Sequence, residues 1–126
     1  MLFGLNLLEL CELCAGAGYS VQLTFMSEGF LNQTFEGKCV GCPDSQAMTE
    51  YGGIFLVGLY GASTIALLNG GAAIKGAIYS VKALTWGLCG LLTLKHWAIA
   101  KKPNVYVNMG LQILFTSAFA YSAAVA

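Results

Sequence analysis

Two stretches of this chain carry no charge over lengths that match a lipid bilayer. Residues 51–69, YGGIFLVGLYGASTIALLN, run for 19 residues, and residues 105–126, VYVNMGLQILFTSAFAYSAAVA, for 22. A helix rises 1.5 Å per residue, so about 20 apolar residues cross a hydrocarbon core of ~30 Å. Residues 72–98 form a third apolar run, interrupted by Lys75, Lys82 and the terminal Lys95-His96-Trp97. Residues 2–26 form a fourth, which contains Asn6, Glu9 and Glu12. The pattern predicts an all-α integral membrane protein. It is one membrane domain, residues 1–126, with four transmembrane helices at about 2–26, 51–69, 72–98 and 105–126. The alternative for residues 2–26 is an amphipathic helix lying in the interface. A long polar loop, 27–50, follows the first helix. Gly70-Gly71 and Lys101-Lys102-Pro103-Asn104 supply the other turns.

Composition agrees with a bilayer as solvent. Apolar residues make up 57% and charged residues 10%, against about 25% charge in soluble domains. All six acids lie in residues 1–50, with Lys38 as the one base there, so that segment sums to −5. The other five lysines lie after residue 51 and give +5. The net charge of zero offers no electrostatic footprint for nucleic acid. There is no arginine, the usual fork for phosphate and carboxylate. The first residues, MLFGLNLLEL, lack the basic start of a secretory signal and the arginines of a transit peptide. Asn32-Gln33-Thr34 matches the glycosylation pattern.

Four spans place the two ends of the chain on one side and loop 27–50 on the other, with the first and third helices parallel. Glu12 then lies ~15 Å into the first helix and Lys82 ~15 Å into the third. Glu9 and Lys75 lie nearer the terminal side. An unpaired charge at such depth costs at least ~3 kcal/mol. Buried pairs Glu12–Lys82 and Glu9–Lys75 are therefore expected. The third helix repeats small residues at Ala72, Gly76 and Ser80, and again at Ala83, Gly87 and Gly90. The second offers Gly58, Gly61 and Ala62, and the fourth Ser117, Ala118 and Ser122. Such faces let helices approach closely in lipid. Lys95, Trp97 and Lys101 suit an interfacial belt.

The cysteines draw a different reading. Cys11-x-x-Cys14 and Cys39-x-x-Cys42 have 24 residues between them, a spacing compatible with a zinc ribbon. Four sulfurs on one ion must each lie ~2.3 Å from it. A spanning first helix separates Cys14 from the loop by ~21 Å along its axis, so no metal is expected. In outline, two such pairs in a small four-helix membrane bundle resemble the membrane thiol oxidoreductases DsbB and vitamin K epoxide reductase. The resemblance implies a quinone-linked thiol-disulfide exchange with Cys39 and Cys42 as the loop pair. Cys11 and Cys14 lie deeper than that scheme requires. Outside it, Cys39 and Cys42 are a candidate local disulfide, while Cys11, Cys14 and Cys89 read as small packing residues.

His96, the single histidine, is a candidate ligand for a pigment or cofactor at the membrane edge. Asn108 and Gln112, four apart, are candidates for ligation or for hydrogen bonds between helices. No catalytic residue set for hydrolysis or phosphoryl transfer is present, so no enzyme is expected. The leading expectation is a small accessory subunit of a multi-subunit photosynthetic or respiratory complex, in an organellar inner or thylakoid membrane. It would contact the bilayer and other membrane subunits and offer residues 27–50 to a peripheral partner. No cofactor is demanded; chlorophyll, carotenoid or bound lipid are the candidates. The rivals are the thiol oxidoreductase and a small transporter or channel with a Glu/Lys polar core.

Overall fold

The computed structural model describes residues 2–36 and 42–126. Five α-helices account for most of them, with no strand among the described residues: α1 Leu7–Phe25, α2 Ser27–Thr34, α3 Pro43–Asn69, α4 Ala72–Lys95 and α5 Asn104–Val125. A 3₁₀ turn, Trp97–Ile99, follows α4. Helix α1 packs chiefly on α3, and α4 on α5. Helices α1 and α4 face each other through long side chains rather than close backbones.

Three boundaries differ from the sequence pattern. Helix α1 begins at Leu7 rather than residue 2, because Asn6 caps it. The Asn6 side chain accepts from Glu9 N at 2.9 Å, and Glu9 Oε2 accepts from Asn6 N at 2.8 Å, a reciprocal cap that satisfies two otherwise orphaned donors. The polar segment 27–50 is not a simple loop. It contains α2, and its last eight residues are the first two turns of α3. Pro43 occupies the first turn, where its missing N–H costs nothing, with Asp44 beside it favouring the positive helix end. The 27 residues of α3 rise about 40 Å, against ~30 Å of hydrocarbon. The charged turns Asp44–Glu50 extend beyond the apolar part. At the other end, α4 stops at Lys95 instead of continuing to residue 98.

Helices α3 and α4 are each long and apolar enough to cross a membrane. Only 11% and 17% of their most apolar stretches are buried, unlike a core helix of a soluble fold. Helix α1 shows the same inversion. Its buried residues are Glu9, Glu12, Gly16 and Ser20, while Leu7, Val21 and Phe25 are exposed. A water-soluble amphipathic helix does the reverse. The interior is a column of aromatic rings: Tyr79 and Phe119 at 5.7 Å, Phe119 and Phe115 at 6.2 Å, Phe115 and Trp86 at 4.9 Å between centroids.

Glycine governs two of the helix contacts. A methyl group at Gly53 of α3 would stand 2.8 Å from Thr24 N, so α1 and α3 touch there backbone to backbone. At Gly16 the Tyr60 ring occupies the space a side chain would need, with its Cζ 2.3 Å from an added Cβ. Between α4 and α5 the small residues seat Thr116 on Gly87, Gln112 on Gly90 and Ala126 on Gly76. Gly58 and Gly61, also expected to pack, have nothing within 4 Å.

Candidate functional site: a polar core beneath an apolar cavity

Among the described residues, three charged side chains are buried in the interior of the bundle. Glu9 and Glu12 are each 2% exposed and Lys82 8%. All three lie on inward stripes, Glu9 and Glu12 one turn apart on α1 and Lys82 between Tyr79 and Trp86 on α4. Lys82 Nζ donates to Glu12 Oε2 at 2.5 Å. Trp86 Nε1 donates to Glu12 Oε1 at 3.1 Å, so both carboxylate oxygens are held. The ammonium also faces the Tyr60 ring at 5.0 Å and the Phe119 ring at 5.6 Å, where ring quadrupoles attract a cation. Each charge removed from water thus meets an opposite charge, a hydrogen bond or a π face, which a buried pair needs to offset its desolvation.

Glu9 is satisfied differently from the expected Glu9–Lys75 pair. Lys75 has no carboxylate within 4 Å among the described residues. The Tyr79 hydroxyl donates to Glu9 Oε1, and Asn6 Nδ2 donates to that same hydroxyl at 3.1 Å. Lys75 stands one turn nearer the start of α4. The rigid phenol of Tyr79 reaches the carboxylate without the entropy cost of a lysine chain. The sequence held a signal for this arrangement: Asn6-x-x-Glu9 is a capping box, which ties Glu9 to the helix start.

Directly beyond this core lies a partly open cavity of about 400 Å³. Tyr60 and Trp86, the two rings that hold the ion pair, line it, together with Phe30 and Phe35 of the α2 region. The wall brings together three of the residues singled out from sequence: His96, Asn108 and Gln112. The Tyr19 hydroxyl donates to Asn108 Oδ1 at 2.6 Å, linking α1 to α5. Gln112 Oε1 is buried without a hydrogen-bond partner. His96 caps α4 and is exposed.

The α2 region is strapped to the α4–α5 connection. Lys101 N donates to Thr34 O at 2.8 Å, and Glu36 N to Ile99 O at 2.6 Å. Asn104 Nδ2 donates to Gln33 O at 2.8 Å, and Lys101 Nζ to Asn32 O. Ser27 Oγ ties the other end of α2 to Glu50 of α3 at 2.9 Å. The belt residue Trp97 packs on Tyr106 at 5.8 Å, with Lys102 Nζ 5.6 Å from its ring.

The cysteines do not converge. Cys11 and Cys14 are exposed on α1, outside the stripe of Glu9, Glu12 and Gly16, and Cys14 borders a groove towards Val107 and Leu111 of α5. Cys89, expected as a buried packing residue, is exposed and lines the cavity. Cys39 lies outside the described residues, so its pairing with Cys42 does too. Among the described residues, no three His, Cys, Asp or Glu side chains stand close enough to hold a metal. Tyr79 and Trp86 fall on one helical stripe with Lys75 and Lys82 in the sequence, and the fold buries that stripe from Tyr79 on; Tyr60 carries no such signal, and only the fold brings it onto the charges.

No family model, curated protein or solved structure matches the chain.

Proposed function

We propose that the chain crosses a membrane four times, through α1, α3, α4 and α5, and serves as an accessory subunit of a larger membrane assembly in an energy-converting membrane. The observation that carries this reading is the distribution of polarity. The deep charges are consumed inside the bundle, at Glu12–Lys82 and Glu9–Tyr79. The outer surface presents Ile54, Phe55, Val57, Leu59, Leu84 and Leu91 instead. Such a body is stable in lipid, because its deep charges are already engaged with one another or with a phenol. Helix α3 supports the assembly role. Gly58 and Gly61 stand open, and open small residues on a lipid-facing helix admit a neighbouring helix.

The same observation weighs against a transporter or channel. Conduction needs polar groups that exchange partners with an ion or substrate, whereas Glu12 has both oxygens engaged. The thiol oxidoreductase draws little support from Cys11 and Cys14, which are exposed on α1 and do not line the cavity.

The test is the state in which the protein leaves its membrane. Extraction in mild detergent, followed by native electrophoresis and mass spectrometry, should place it in a complex well above its own 13.3 kDa. Migration as a lone monomer at every detergent concentration contradicts the accessory role.

A further inference from the structure

The cavity above the ion pair has the features of a ligand site, and its few polar groups define the ligand. Its volume of about 400 Å³ lies in the range of small-molecule sites. Four aromatic side chains line it, Tyr60 and Trp86 beside the ion pair and Phe30 and Phe35 from the α2 region. That geometry suits a flat apolar ring body. Among the described residues no lysine or acidic side chain lines it, and its one basic side chain, His96, is exposed, so the part of an occupant held among the rings is neutral.

Two polar groups in the wall have unmet capacity. Asn108 Oδ1 is taken by Tyr19, and the two N–H donors of its carboxamide have no partner among the described residues. Gln112, one turn further along the same face of α5, has a buried carboxamide oxygen with no donor. A buried polar atom left unpaired costs roughly 1–3 kcal/mol. One hydroxyl serves both residues, accepting from Asn108 and donating to Gln112 once that carboxamide turns toward it. It also serves either orientation of the Gln112 amide, because a hydroxyl both donates and accepts.

We infer that this cavity binds a neutral, ring-bearing membrane alcohol, with its hydroxyl between Asn108 and Gln112 and its ring between Trp86 and Phe30. The inference rests on the membrane-spanning reading but not on the accessory role. Two kinds of lipid share the chemistry: sterols and prenylated phenols.

Trp86 in the lining supplies the readout. The protein, carrying Trp97→Phe so that Trp86 is its one indole, is reconstituted in phosphatidylcholine nanodiscs. It is then titrated with dehydroergosterol in one arm and α-tocopherol in the other. Saturable quenching of Trp86 by dehydroergosterol alone assigns a sterol, and by α-tocopherol alone a prenylated phenol. Quenching by both assigns the shared alcohol chemistry. Gln112→Leu should weaken binding about five- to tenfold, as loss of one buried hydrogen bond does. The methyl ether of the bound probe should weaken similarly against the parent protein. Cys89→Phe, which fills the cavity from its α4 wall, should abolish saturation. The inference is overturned if neither probe saturates, or if Cys89→Phe and Gln112→Leu both bind like the parent. Failure to enter nanodiscs as a helical protein would instead refute the membrane-spanning reading, and the native assembly size tests the accessory role separately.

Discussion

Lys82→Met isolates the energetic consequence of the central ion pair. Methionine keeps the length and much of the volume of the lysine stem but removes the ammonium that sits 2.5 Å from Glu12 Oε2. Glu12 then keeps the Trp86 hydrogen bond and the neighbouring Tyr60 hydroxyl, but its charge has no counter-ion. Breaking one partner of a buried pair costs about 3–5 kcal/mol, and a loss of that size is expected. The double variant Glu12→Gln, Lys82→Met keeps an acceptor for Trp86 and removes both charges. It should return to within about 1 kcal/mol of the parent. The assay is equilibrium unfolding in mixed micelles, followed by Trp fluorescence and circular dichroism, run as a double-mutant cycle. A loss under about 1 kcal/mol for Lys82→Met, or a coupling energy near zero, would refute the claim that the pair is dry and structural.

The other expectations use the same assay or the native assembly. Gly53→Ala forces a methyl against Thr24 N and should cost about 1–3 kcal/mol by parting α1 from α3; micelle unfolding measures it, and a neutral result would mean the helices are not in backbone contact there. Tyr79→Phe strips Glu9 of its phenol donor and Asn6 Nδ2 of its acceptor, and should cost about 1–3 kcal/mol while the reciprocal cap survives in the circular dichroism spectrum. Gly58→Leu meets open space and should leave unfolding unchanged, yet release the chain from its complex on native electrophoresis.

The sequence and the structure diverge in instructive places. Depth alone put Glu12 and Lys82 at one level, because rise per residue is fixed and charge in lipid is costly; in the fold they meet. The same reasoning paired Glu9 with Lys75. It considered only charges, whereas a phenol hydroxyl can also satisfy a carboxylate, and the cap at Asn6 had already committed Glu9 locally. Helix α2 was invisible because its sequence, SEGFLNQT, has little hydrophobic pattern; its place comes from hydrogen bonds to residues 99–104, far away in the chain. The apolar run starts eight residues inside α3, because Asp44 and Glu50 mark the edge of the apolar zone, not the end of the helix. Gly58 and Gly61 looked like packing glycines, but the close approach falls at Gly53, where Thr24 happens to face. The cavity needed five elements at once, so no linear pattern announced it. His96, Asn108 and Gln112 were legible as polar residues in an apolar context, though not as one wall.

Sidedness tests the membrane account most directly. Four crossings place both termini on one face and α2 on the other. If only α3 and α4 cross, α2 shares a face with the termini. Epitope tags at the two ends and a single introduced thiol at the exposed Gln33→Cys, in a background lacking the native cysteines, distinguish the two in sealed oriented vesicles. A membrane-impermeant thiol reagent and tag antibody applied from outside should reach either the thiol or both tags, never all three. Simultaneous labelling of all three from one face would contradict the four-span bundle and, with it, the burial of Glu12 and Lys82 in lipid.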